Sequence, residues 1–82
     1  MKATSDNRWA AKWISENQSD GRCEWLLRGE DRNVLLFHTR AATRQFIKER
    51  YGYIAKREDL KREPHGWRMP QVVRVVVAIR AA

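Results

Sequence analysis

One cysteine, two prolines and four glycines are all that these 82 residues hold of the types that staple or interrupt a chain. Cys23 alone excludes an internal disulfide, so the fold must rest on packing, and a lone thiol fits a reducing compartment. No apolar run approaches the roughly 20 residues that a membrane-spanning helix needs. The opening MKATSDNRW has no apolar stretch after its lysine, so no signal peptide is expected and the protein reads as soluble and cytoplasmic. A Gly-rich phosphate loop is also missing.

The same scarcity extends to chemistry. His38, His65 and Cys23 are the only soft or borderline metal ligands, and their spacing matches no paired C-x-x-C or H-x₃-H site. Neither a metal nor a cofactor is expected. Carboxylates occur side by side as Glu30-Asp31 and Glu58-Asp59, both in polar, charged stretches that give no burial to shift a pKa. Ser5, Ser15 and Ser19 have no histidine in a suggestive position, and Cys23 alternates with Trp25 as a core thiol would. The chain reads as a non-enzyme.

What the sequence does hold is apolar surface and positive charge. A hydrophobic fraction of 43% and four tryptophans suit one small domain over residues 1–82; at this size about 60–65% of the unfolded chain's surface is buried. The net charge is +7, and it is unevenly placed. Residues 1–39 carry six basic and six acidic side chains, whereas residues 40–82 carry eleven and four. Concentrated positive charge suits a polyanionic partner, since each neutralised phosphate releases counterions. An arginine-rich, solvated surface is the blander reading of the same numbers.

The order of elements follows from periodicity. Residues 1–7 read as a disordered terminus. In residues 8–16 Trp9, Ala11 and Trp13 alternate as on a strand, although Trp9 and Trp13 are also i, i+4 on a helix that Asp6 could cap. The Asp20-Gly21 turn and the alternation of Cys23, Trp25 and Leu27 favour a hairpin. A second tight connection, Gly29 to Asn33, leads to a third strand, Val34–Thr39. Thr39 then caps a helix from Arg40 to Tyr51, with Ala42, Thr43, Phe46 and Ile47 inward, Arg50 joining by its stem, and Gly52 as its left-handed stop. Residues 55–71 read as a long basic connection with one or two helical turns before Pro64. In the closing strand Val73, Val75, Val77 and Ile79 form one apolar face. The fold class is α+β, in the order β-β-β-α-β: an antiparallel meander, one helix on one face, and a C-terminal strand added to the sheet. A helical 8–16 would make it α-β-β-α-β.

Several features converge on nucleic acid, with duplex DNA favoured. Arg40, Arg44 and Lys48 recur at i, i+4, i+8 from a helix N-terminus, where free N–H groups and the dipole also attract phosphate. The connection adds Lys56, Arg57, Lys61, Arg62 and Arg68, and Trp67 beside Arg68 offers a ring that stacks on a base or packs onto the body.

The junction Phe37-x-Thr39-x-x-x-Thr43, following Trp9-x-Ala11-x-Trp13 and the Asp20-Gly21 turn, resembles the AP2-like domain, the small arm-type DNA-binding module of many phage integrases. The resemblance spans Trp9 to Tyr51. It implies a phage or mobile-element origin, core roles for Phe37 and Phe46, and a sheet face, turned away from the helix, that enters the DNA major groove. That face would present Lys12, Glu24, Arg28 and His38. The competing expectation is a protein-interaction or inhibitor module that uses Val72–Ile79 as a pairing edge, either for a protein partner or for a homodimer.

Overall fold

The computed structural model describes residues 4–79 and gives an α+β fold. Its elements are β1 (Thr4–Asn17), β2 (Gly21–Leu26), α1 (Arg40–Lys56), α2 (Glu58–Lys61) and β3 (Gln71–Ile79). The sheet is antiparallel with strand order β2-β1-β3.

Both edges of β1 are used along its length, and this settles residues 8–16 as strand. Lys12–Asn17 pair with β2, and Thr4–Lys12 pair with β3. Past the end of β2, Phe37 takes over the first edge opposite Trp9, and Trp67 extends the second opposite Ser15. A central strand buries its small residues, so Ala10 and Ala11 are fully buried despite their helical preference. Residues 4–7 are ordered into the same ladder rather than frayed, because Val76–Ile79 pair with them.

The expected third strand is the main correction. Val34–Thr39 makes only scattered bridges: Val34 to Arg28 and Phe37 to Trp9, with Leu35 N–H donating to the Leu27 carbonyl at 3.0 Å. The Gly29–Asn33 loop closes tightly, with Gly29 N–H on the Asn33 carbonyl at 2.9 Å. It therefore folds the chain back on the end of β2, and by Phe37 the chain has crossed onto β1 itself. The sheet has three strands instead of four.

The helix begins as the sequence predicts, Thr39 Oγ1 accepting from the Ala42 N–H at 3.0 Å. It does not stop at Gly52 but continues to Lys56. A glycine inside a helix costs about 1 kcal/mol, whereas the extra turn buries Ile54 completely, worth roughly 1.5–3 kcal/mol. Burial wins. The connection is shortened at both ends, and Trp67 N–H ties it to the carbonyl of Leu60 in α2 (2.8 Å).

The core lies between α1 and one face of the sheet. Ala11, Leu27 and Ile47 are buried there, with Trp13, Phe46, Tyr51, Met69 and Val72 packed around them. Thr43 is buried, its hydroxyl donating to the Thr39 carbonyl at 3.0 Å, while Ala42 and Arg50, both expected inward, are exposed. Because Val72 faces this core, the alternating Val73, Val75 and Val77 lie on the opposite, open face of the sheet. Arg40 sits over Trp9 at the start of the helix, so the ribbon Thr4–Arg8 with Val75–Ile79 projects past α1. The protein is elongated, with extents of 50 × 27 × 21 Å.

Candidate nucleic-acid interface

Arg40, Arg44 and Lys48 are all exposed on α1, and among the described residues none of them is in an ion pair. The first turn of α1 carries no acid, and Glu49 is engaged by Gln45 Nε2 at 2.6 Å. Successive members are about 6 Å apart along the axis. The Arg40 guanidinium lies 5.9 Å from the Trp9 ring centroid, a cation–π contact that steadies its stem while leaving its N–H groups open. The row runs along one flank of the helix. Lys48 lines an open cleft of about 520 Å³ with Gly52, Lys56 and Met69, so the uninterrupted helix brings Lys56 to the row's far end. On the other flank Phe46 and Arg50 face Arg28, Gly29 and Leu35.

The remaining basic residues of the connection are mostly occupied. Arg57 holds Asp59 at 2.6 Å, and this hydrogen bond raises the arginine's pKa and lowers that of the carboxyl. Lys61 donates to the Ala55 carbonyl at 3.0 Å and lies 3.5 Å from Glu58. Arg68 Nη1 donates to the carbonyl of Gly66 at 3.0 Å, which folds its charge back onto its own loop. Arg62 is exposed and forms no ion pair among the described residues. Trp67 is half-buried, edge-on to Trp13 at 5.4 Å and beside His65 at 5.3 Å, so it anchors the connection to the sheet. Of the tryptophans, Trp25 is the one left half-open, 52% exposed and stacked on Trp13.

The open face of the sheet is chemically different. Lys12 lies 3.6 Å from Glu24, whose carboxyl is held below its ordinary pKa chiefly by a hydrogen bond from Arg22 and also by the Lys12 charge. Arg28, expected here, instead lines the helix-side cleft with Phe46 and Arg50 and donates to the Arg32 carbonyl at 2.7 Å, because the Gly29–Asn33 loop turns the chain back on itself. His38 is exposed. Leu26, Val34 and Leu36 meet Val75–Val77 across a shallow groove of about 280 Å³. Charge on this face is balanced, and its middle is apolar.

Arg74 was not among the residues expected at the interface. It lies opposite Trp9 on β3, on the same face as α1, and is exposed, so it joins the Arg40 end of the row. Its alternation with the valines was visible in the sequence, but not which of the two faces α1 would cover. Among the described residues no group of three or more His, Cys, Asp or Glu is placed to hold a metal, and no helix is long and apolar enough to cross a membrane. No protein-family model, curated protein or solved structure matches the chain.

Proposed function

We propose that this protein is a non-enzymatic nucleic-acid-binding module, with duplex DNA as its first ligand, of the phage or mobile-element kind that its strand-to-helix junction resembles. The observation that carries this reading is the row Arg40, Arg44 and Lys48: exposed, free of ion pairs among the described residues and beginning at a helix N-terminus without acids. Lys56, Arg62 and Arg74 extend it. The contact is assigned to this flank of α1 rather than to the open face, where Lys12 is balanced by Glu24 and valines fill the middle.

Fluorescence anisotropy with a labelled random duplex over a salt series tests the reading. Binding weakens steeply with salt, and the triple variant R40A/R44A/K48A binds more weakly with a slope shallower by up to about 2.7 per bound protomer, at roughly 0.9 for each phosphate that is no longer neutralised. The pair K12A/R28A leaves the slope in place. A triple variant with the wild-type slope, or no binding at low salt, would sink the assignment. A second reading, a protein-interaction module, draws support from the outer edge of β3 and the 66% exposure of Val76.

A further inference from the structure

Hydrogen bonding along β1 decides which groups of β3 are free. Trp9 exchanges both of its backbone bonds with Phe37 (2.9 and 2.8 Å), and the Ala11 carbonyl accepts from Leu27, so odd-numbered residues of β1 turn toward the β2 side. Even-numbered residues turn the other way, as Ile14 and Glu16 do where they bond Arg68 and Gly66. The register Asp6 with Val77, Arg8 with Val75 and Ala10 with Val73 therefore commits the N–H and C=O of those three valines to β1. Val72, Arg74, Val76 and Ala78 turn theirs outward. No described residue bonds them.

Natural edges are usually shortened, charged, interrupted by proline or covered. The β2 edge is short and carries Arg22 and Glu24, but Val72–Ile79 has one charge, no proline and no cover among the described residues. We propose that this edge is the contact between two copies of the chain: β3 pairs antiparallel with its own two-fold mate, centred on Val75, to make one six-stranded sheet.

Self-pairing is favoured over a foreign strand because this edge complements itself in three respects. First, the two-fold at Val75 sets Val72 against Ala78 and Arg74 against Val76 of the second copy. All four outward residues on each strand are then matched, giving eight hydrogen bonds across the axis. Second, the side chains agree on both faces. Val73 and Val75 meet Val77 and Val75 of the mate on the open face, and the stem of Arg74 lies over Val76, which is 66% exposed. Third, charge selects the register. A two-fold centred on Arg74 would set arginine directly against arginine, and one centred on Val76 would leave Val72 opposite residue 80, beyond the described strand.

The test needs no nucleic acid, so its outcome is independent of the DNA reading. Sedimentation equilibrium across micromolar to millimolar concentrations is expected to show a dimer that dissociates on dilution, because one pair of edges is small beside the roughly 1,000 Å² of a specific interface. Val76→Pro removes an outward N–H while leaving the β1 ladder intact, so this variant stays folded by circular dichroism and becomes a monomer. In a Cys23→Ser background, Val75→Cys forms a disulfide-linked dimer on mild oxidation. Its Cα atoms face each other at about 4.5 Å in a non-hydrogen-bonded pair, within disulfide range. Val73→Cys, which faces Val77 of the mate, does not. A monomer at every concentration, a dimer that survives Val76→Pro, or cross-linking at position 73 in place of 75 would each overturn the proposal.

Discussion

Gly66 shows how much one residue can hold. Its φ is +63°, in the left-handed region, and a Cβ placed there would stand 1.7 Å from the Glu16 carbonyl oxygen. The close approach is what lets the Gly66 carbonyl accept from the Glu16 N–H at 2.9 Å and bring Trp67 into line with the sheet. Neighbours secure the same corner: Glu63 accepts from the Gln18 N–H with both carboxylate oxygens (3.0 and 3.1 Å), and Asn17 Nδ2 donates to the His65 carbonyl at 3.1 Å. Gly66→Ala combines left-handed strain with a backbone clash and is expected to cost on the order of 3 kcal/mol or more. For a domain of this size, whose total stability is about 5 kcal/mol or somewhat above, that should remove more than half of the stability margin and lower the melting temperature by well over ~10 °C. A thermal melt read by tryptophan fluorescence checks it; a variant melting within a degree or two of wild type would mean that the corner is looser than described.

At the scale of elements, Gly52 makes the opposite case. It lies inside α1, not in the left-handed region, and a Cβ there would meet nothing within 4 Å. Gly52→Ala is therefore expected to stabilise the protein by about 0.5–1 kcal/mol, from helix propensity and a less flexible unfolded chain. Were Gly52 the left-handed stop that local pattern predicts, alanine would destabilise instead, so the sign of the change in urea midpoint decides between the two. The same contrast marks what was legible in the sequence. Thr39 as cap, Thr43 and Ile47 inward, the Asp20-Gly21 hairpin and the closing valine strand were all readable, because caps, turns and alternation act within a few residues. The end of α1 was not, because Ile54 is buried by partners distant in sequence. Nor was the broken third strand, since four apolar residues from Val34 to Phe37 look alike whether they pair in one ladder or bridge two. At the candidate site the row Arg40–Arg44–Lys48 was legible from spacing alone. That Lys12, Arg57 and Lys61 have acidic partners and that Trp67 is packed against Trp13 depended on contacts the sequence does not order.

For the whole molecule, the edge pairing and the basic row constrain each other. Paired residues of an antiparallel ladder share a face, so a two-fold at Val75 puts both copies of α1 on the same side of the joined sheet. Each helix starts beside Trp9 and Arg74, one register step from Val75, and runs toward Trp13. The two N-terminal ends therefore lie nearest the axis, and the two basic rows continue each other across it through Arg74 and its mate. Like charges so placed oppose assembly on their own and favour it once phosphate lies over them, so duplex DNA is expected to promote the dimer. With Arg40, Arg44 and Lys48 each neutralising one phosphate, the row's share of the salt slope is expected to be about 2.7 for one protomer and about 5.4 for the pair. The monomeric Val76→Pro variant should accordingly bind duplex with about half the wild-type slope, and with an affinity that falls off less steeply as salt is raised. Anisotropy titrations of the two proteins side by side measure this directly. An equal slope from a variant shown to be monomeric would mean that a single helix row makes the whole contact, leaving the β3 edge without a part in DNA binding.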